Sequence, residues 1–88
     1  MAWDIDYSGK ALKALKKIDH TNAKRILDYM DNKVALLDNP RSLGKPLKGE
    51  LGEFWRYRIG DYRVICEIQD NRLVILAALI GHRKEIYY

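Results

Sequence analysis

Three arginines within a short aromatic stretch are the residues of this sequence best suited to chemistry. Residues 54–65 read Phe-Trp-Arg-Tyr-Arg-Ile-Gly-Asp-Tyr-Arg-Val-Ile and contain Arg56, Arg58 and Arg63. A guanidinium stays charged at ordinary pH, and its planar fork binds two phosphate oxygens at once. Guanidiniums held side by side repel one another, and a bound anion would relieve that repulsion. The stretch therefore indicates a binding surface for the backbone of a nucleic acid.

Two strands joined by a tight turn would position these arginines. Side chains alternate along a strand, so Arg56 and Arg58 share one face and the aromatic residues between them occupy the other. Gly60 and Asp61 have the composition of a two-residue hairpin turn, which sets Arg58 opposite Arg63 and Arg56 opposite Ile65. A solvated sheet face, with the arginines paired to Glu53 and Glu67, would show the same spacing. Spacing alone leaves both interpretations open.

The remaining strands follow from the same alternation. Residues 3–7 alternate apolar with acidic groups, as in a half-buried first strand. Asp70-Asn71 is interpreted as a second two-residue turn, which sets Ala77 opposite Val64 and Ala78 opposite Arg63. A small side chain beside the arginines would leave space for a ligand above them.

Two amphipathic helices are predicted between the first strand and the hairpin. Ser8 can cap the first helix, and the second is predicted to end near residues 38–40. Residues 40–52 are rich in Gly and Pro and are interpreted as a connecting loop, which is basic through Arg41, Lys45 and Lys48. The apolar stripe of the first helix consists of Ala11, Leu12, Leu15 and Ile18, and its basic face of Lys10, Lys13, Lys16 and Lys17. We expect an α+β fold: a strand, two antiparallel helices, then a three-strand antiparallel meander, with the helices packed on one face of the sheet.

Composition bounds the remaining possibilities. Eighty-eight residues make one domain, residues 1–88, and a net charge of +4 favours an acidic partner. Cys66, the single cysteine, is expected to be a buried hydrophobe, and the two histidines lack the spacing of metal ligands. There is no signal for export or for a membrane span, so a cytoplasmic location is expected. No cofactor or metal is expected either.

The order of elements and several short motifs resemble the RelE/ParE superfamily of bacterial type II toxins. The motifs are Leu-Lys-Gly at 47–49, the arginine-bearing stretch at 55–65, and the ending Ile-Gly-His-Arg-Lys-Glu-Ile-Tyr at 80–87. The RelE branch enters the ribosomal A site and cuts mRNA through the 2′-hydroxyl, leaving a 2′,3′-cyclic phosphate and a 5′-hydroxyl. The resemblance thus implies a ribosome-dependent endoribonuclease that needs no metal, with ribosome, mRNA and a RelB-like antitoxin as partners.

The resemblance also assigns roles to residues of this chain. Arg63 would stabilise charge on the phosphate in the transition state, Arg83 would stabilise charge or protonate the leaving group, and Tyr87 would stack on or orient the target nucleotide. The general base is left open between His82 and a carboxylate such as Glu53, since arginine is very hard to deprotonate. The complete catalytic set would be Arg56, Arg58, Arg63, Arg83, Tyr87 and His82, with Lys45, Lys48 and Lys84 binding RNA.

Two further expectations accompany this resemblance. A ParE-like toxin that poisons DNA gyrase without cutting RNA is the alternative function, although such members generally lack the full arginine and tyrosine set. The antitoxin is expected to bind as an extended or helical segment along the helices and the sheet edge, because the first helix is basic.

Overall fold

The computed structural model describes residues 2–48 and 53–86, which form two helices on one face of a mixed sheet. The strands lie in the order β1-β5-β4-β3-β2, with β1 parallel to β5 and the other neighbours antiparallel. The predicted α+β fold, with its helices on one sheet face, is confirmed. The elements are β1 (Asp4–Tyr7), α1 (Gly9–Lys17), α2 (His20–Asn32), β2 (Lys45–Pro46), β3 (Phe54–Ile59), β4 (Tyr62–Gln69) and β5 (Val74–His82), with 3₁₀ turns at Val34–Leu36 and Pro40–Ser42.

Ser8 begins α1 as predicted and also joins the helix to the sheet. Its hydroxyl oxygen accepts a hydrogen bond from the Ala11 amide at 3.0 Å, and the hydroxyl donates to the Ala78 carbonyl at 2.6 Å. This arrangement satisfies one of the amides that a helix N-terminus leaves unpaired. The apolar stripe of α1 is only partly buried, however, because Leu12 is 48% exposed.

The second helix ends earlier than the prediction of residues 38–40. Lys33, with φ −124° and ψ −63°, ends α2 at Asn32, and a 3₁₀ turn follows. In this turn Val34 and Ala35 are buried, and the Ala35 carbonyl accepts a hydrogen bond from the Trp3 amide at 2.7 Å. Apolar periodicity continues through this turn, so the pattern alone could not show where the helix stops.

The β3–β4 hairpin has the predicted register. Ile59 pairs with Tyr62, Arg58 with Arg63, and Arg56 with Ile65. Gly60 occupies the turn with φ +58°, a conformation that glycine adopts without steric cost.

The register between β4 and β5 differs from the prediction by three residues at Arg63. The turn spans residues 70–73 rather than two residues, and a β-bulge between Ile65 and Cys66 adds one more. Arg63 therefore lies opposite Gly81 instead of Ala78. The bulge falls at Ala78, where Ser8 binds, so a contact distant in sequence accompanies the shift.

Part of the predicted connecting loop is ordered against β3. Lys45 and Pro46 form the short strand β2, which the prediction missed, and residues 49–52 lie outside the described residues. The Trp55 indole donates to the Leu43 carbonyl and the Tyr57 hydroxyl donates to the Pro40 carbonyl, both at 2.6 Å. These two side chains hold the segment beside the sheet.

The main core lies between the helices and the sheet. Cys66 is buried there, as predicted, and burial raises the pKa of its thiol. None of the described helices is long and apolar enough to cross a membrane. Fully buried side chains of this core include Ile26, Met30, Val34, Tyr57, Val64 and Ile75.

Candidate active site

The β3–β4 hairpin brings the three predicted arginines onto the sheet face away from the helices. Arg58 and Arg63 are direct cross-strand partners, and Arg56 lies two residues from Arg58 on the same side. The alternate side chains of both strands, including Tyr57 and Val64, enter the core instead. We call the surface formed by Arg56, Arg58 and Arg63 the arginine face.

The electrostatics of the arginine face show mutual repulsion. Burial lowers the pKa of Arg56, and the nearby charges of Arg63 and Arg58 lower it further. Neither Arg58 nor Arg63 forms a salt bridge with any carboxylate of the described residues, and Glu67 accepts a hydrogen bond from Gln69 at 3.1 Å instead. Among residues 2–48 and 53–86, no carboxylate therefore neutralises Arg58 or Arg63, a condition that favours binding of an anion.

A neutral backbone group orients Arg63. Its Nη1 donates to the Ile86 carbonyl at 3.1 Å, which fixes the guanidinium without cancelling its charge. The Nε atom of Arg63 is buried and makes no hydrogen bond within the described residues.

Ile86 occupies the space that the prediction left for a ligand above the arginine face. It is buried with Leu47 and Ile65 in a small apolar cluster, against which Phe54 and Leu79 pack. A Cβ atom on Gly81 would lie 2.9 Å from Ile86 Cδ1, so any larger residue at this position would force the Ile86 side chain to shift. The expected ligand space beside Arg63 is thus filled by the tail of the chain itself.

Lys45 extends the arginine face at the edge of the sheet. It pairs with Arg56 across β2 and β3, and both line a cavity of about 190 Å³ together with Arg58 and Tyr29. Lys48 is exposed two residues beyond this short strand. The structure therefore brings Lys45, Arg56 and Arg58 together at one edge.

Arg83 lies at the tip of the hairpin. Its amide donates to the Asp61 carbonyl at 2.8 Å, and its Nε is 3.8 Å from Asp61 Oδ1, with both side chains largely exposed. The following turn exposes Lys84, whose amide donates to His82 Nδ1. Arg83 is thus near the Arg58–Arg63 pair along the strands, although it already has a carboxylate neighbour.

His82 lies on the opposite sheet face from the arginines. It pairs with Tyr62, their rings are 5.5 Å apart in an edge-to-face arrangement, and Tyr62 packs against the main core. His82 also lines a cleft with Lys10 and Lys13 of α1. The structure therefore does not bring His82 to the arginine face.

The structure does not place the two remaining predicted site residues, Tyr87 and Glu53, beside the Arg58–Arg63 pair. Tyr87 lies outside the described residues. Glu53 is exposed immediately before β3, at the opposite end of that strand from the hairpin turn. Within residues 2–48 and 53–86, no three His, Cys, Asp or Glu side chains are grouped so that they could hold a metal ion.

Sequence reasoning missed Ile86 and Gly81 as parts of the site. The only signal was an apolar residue following four polar ones in the tail, and its position depends on the β4–β5 register that the prediction misplaced.

Comparison with known proteins agrees with the fold and with the motifs. The family model for the ParE toxin of the type II toxin–antitoxin system parDE matches residues 5–87. A protein named Toxin RelE from Mycobacterium tuberculosis is 40% identical over 85 residues, covering 97% of this chain and 86% of that protein.

Solved structures share the architecture. The RelBE2 toxin–antitoxin complex from Mycobacterium tuberculosis matches with a TM-score of 0.86 at 22% identity, covering 94% of this chain and 93% of the matched chain. A free mutant RelE toxin from E. coli matches with a TM-score of 0.77 at 21% identity, covering 99% and 90%. The family match over most of the chain, with the shared fold, shows that this protein belongs to the RelE/ParE superfamily of type II toxin–antitoxin toxins.

Proposed function

We propose that this toxin is an endoribonuclease that cuts mRNA in the ribosomal A site by attack of a 2′-hydroxyl on the adjacent phosphate. The observation that carries this proposal is the arginine face, where Arg58 and Arg63 are held as direct neighbours with no described carboxylate paired to either. A phosphate passing through a pentacoordinate state gains negative charge, and such a surface stabilises that charge. The 40% identity to a protein named Toxin RelE supports the same function.

Arg63 is the central catalytic residue in this proposal. The Ile86 carbonyl holds its Nη1, and Nη2 is the donor left for the phosphate, because Nε is buried. Removal of one preorganised charge-stabilising donor typically slows an enzyme by about 10²- to 10³-fold. Because the guanidiniums themselves supply the cationic charge, the proposed chemistry needs no metal ion.

The neighbouring residues position the RNA. Arg58 and Arg56 bind the scissile or adjacent phosphate, and Lys45 continues this contact at the sheet edge. Arg83, at the hairpin tip, stabilises the leaving 5′-oxygen, and Lys48 and Lys84 contact the flanking backbone. We retain Tyr87 as the residue that stacks on the target base.

Charge stabilisation, rather than a positioned base, supplies most of the catalysis in this proposal. His82 lies on the other sheet face, and Glu53 lies at the far end of β3 from the Arg58–Arg63 pair. Clustered guanidiniums lower the pKa of a nearby 2′-hydroxyl by favouring its anion, so the ribosome or water can accept the proton.

Mapping of mRNA ends on programmed ribosomes tests this function. The wild type should produce A-site cuts, Arg63→Ala should lower their rate by about 10²- to 10³-fold, and Arg72→Ala should not. Arg72 is the matched control, because it is an exposed arginine in the β4–β5 turn, at the opposite end of β4 from Arg63. No A-site cleavage by a folded wild type would refute the proposal.

The alternative is a gyrase poison, which the match to the ParE family model favours. Cells expressing the wild type would then accumulate gyrase-linked DNA breaks while their mRNA stayed intact. Scoring both kinds of break in the same cultures therefore separates the two functions.

We further propose that an antitoxin of the RelB type binds the outer groove between α1 and α2. The similar structure from Mycobacterium tuberculosis is a toxin–antitoxin complex. The outer groove is lined by the partly exposed apolar residues Leu12, Leu15 and Leu27, with Lys16 and Lys24 beside them. This arrangement fits an amphipathic helix with acidic flanks. Of the four lysines on the basic face of α1, only Lys16 lines the outer groove. The other three, Lys10, Lys13 and Lys17, line a separate cleft.

A further inference from the structure

We infer that Arg25 of α2 is a phosphate-binding residue that extends the arginine face around the tip of the β3–β4 hairpin. This inference rests on the proposed function, and it adds a residue that neither the motifs nor the strand pattern indicated. Its ligand would be a phosphodiester of the RNA strand that crosses the hairpin tip.

The position of Arg25 is set by a close contact with Gly60. A Cβ atom built on Gly60 would lie 3.0 Å from Nη1, 3.3 Å from Nη2 and 3.4 Å from Cζ of Arg25. The three nearest atoms all belong to the Arg25 guanidinium, so this group lies directly against the turn. Gly60 therefore serves two purposes, because it adopts the positive φ of the turn and leaves room for this guanidinium.

The hydrogen-bond donors of Arg25 are not used by the described part of the chain. Arg25 is exposed and makes no hydrogen bond or salt bridge with any residue of the described ranges. The contact with Gly60 already restricts the Arg25 side chain, so binding of an external anion would cost less conformational entropy. Its unused hydrogen-bond donors are suited to such an anion.

The surroundings of Arg25 favour RNA over an acidic protein. Gly60 is two residues from Arg58 and three from Arg63, so the Arg25 guanidinium lies against the turn that joins these two arginines, at the end of the arginine face. The adjacent Lys24 instead lines the apolar outer groove between the helices. Arg25 and Lys24 are thus adjacent cations of α2 that lie on different surfaces, so Lys24 can act as the matched control for Arg25.

Cleavage on programmed ribosomes and binding of a short fluorescein-labelled single-stranded RNA should be measured at several KCl concentrations. We expect Arg25→Ala to raise KM and the RNA dissociation constant about tenfold with little change in kcat, because one charged contact is lost. The slope of log affinity against log salt should become shallower by about 0.7 to 0.9. Arg25→Lys should give an intermediate effect, and Lys24→Ala should leave all these quantities unchanged.

The results separate the possible sources of the phosphate and the possible failures. An effect on free RNA and on ribosomes indicates any RNA strand, whereas an effect on ribosomes alone indicates ribosomal RNA, and either supports the inference. Equal behaviour of Arg25→Ala and Lys24→Ala in both assays would overturn it, as would loss of antitoxin capture with RNA binding intact. If the wild type does not cleave mRNA, the proposed function fails, yet the binding assay still decides the role of Arg25.

Discussion

At the scale of single residues, the site depends on how one arginine is held rather than on how many arginines are present. Arg63 is oriented by the Ile86 carbonyl, and Ile86 is held in place by its apolar cluster and by the absence of a side chain at Gly81. A backbone carbonyl orients a guanidinium without neutralising it, whereas a carboxylate would compete with the phosphate. Ile86 and Gly81 are therefore positioning residues for the proposed chemistry.

Substitution of Gly81 by alanine tests this positioning. The new Cβ would lie 2.9 Å from Ile86 Cδ1, so we expect Gly81→Ala to destabilise the fold by about 1–3 kcal/mol and to slow cleavage. Ile86→Val removes the clashing methyl, so the double variant should recover part of the stability and of the cleavage rate. Urea unfolding and ribosome cleavage measure the two effects. Additive losses in the double variant would show that the two residues act independently.

At the scale of elements, a single serine connects a helix start with an irregularity of the sheet. Ser8 caps α1, its amide donates to the Ala77 carbonyl, and its hydroxyl donates to the carbonyl of Ala78 at the bulge. The bulge shifts the register of β5 so that Gly81, and not a larger residue, lies opposite Arg63. The cap thus contributes to the geometry of the arginine face from the other side of the sheet.

Ser8→Ala should therefore cost more than the loss of an ordinary cap. We expect a decrease of about 1–3 kcal/mol in the free energy of unfolding, because a cap is worth about 1 kcal/mol and the Ala78 carbonyl loses its hydroxyl donor. Ser42→Ala is the control, since its hydroxyl donates to the Asn39 carbonyl in an exposed 3₁₀ turn. Urea unfolding should show a change within about 0.5 kcal/mol for the control. Similar losses for both variants would contradict the linking role of Ser8.

At the scale of the whole molecule, the RNA and the antitoxin are proposed to bind opposite sides of the protein. The arginine face lies on the side of the sheet away from the helices, and the outer groove lies on the far side of the helical layer. Binding and catalysis should therefore be separable by substitution.

Leu12→Asp should weaken capture of the co-expressed antitoxin by at least about tenfold and leave A-site cleavage unchanged, since Leu12 is 48% exposed in the outer groove. Arg63→Ala should slow A-site cleavage and leave antitoxin capture unchanged. Lys16→Glu should also weaken capture, whereas Lys13→Glu, in the separate cleft, should not. A pull-down and a ribosome assay on the same preparations measure both properties. Normal capture by Leu12→Asp would place the antitoxin elsewhere.

The buried ionisable groups predict loss of stability in alkali. Burial raises the pKa of Tyr57 and Cys66 above their ordinary values of 10.0 and 9.0, and burial together with Asp31 raises the pKa of Tyr7. A raised pKa in the folded state means that the unfolded chain loses protons first. Stability is therefore complete below the unfolded pKa and decreases as pH rises from about 9.

Urea unfolding between about pH 8 and about pH 11 measures this decrease. Each such group contributes a slope of about −1.4 kcal/mol per pH unit once its unfolded form is ionised. Tyr57→Phe should make the slope above pH 10 shallower by that amount, although it also removes the hydrogen bond to the Pro40 carbonyl at all pH values. An unchanged slope would show that Tyr57 ionises equally in both states.

Local pattern alone determined the hairpin and its arginines, the Ser8 cap, the fold class and the family motifs. Alternation and turn chemistry act over a few residues, so the pairing of Arg58 with Arg63 could be read directly. Only the tertiary structure decided where α2 ends, how β4 and β5 pair, and that β2 forms. It also decided the positions of Ile86 and His82. Each of these depends on contacts between residues distant in sequence, such as Trp3 with Ala35 and Ser8 with Ala78, whose energies no local pattern records.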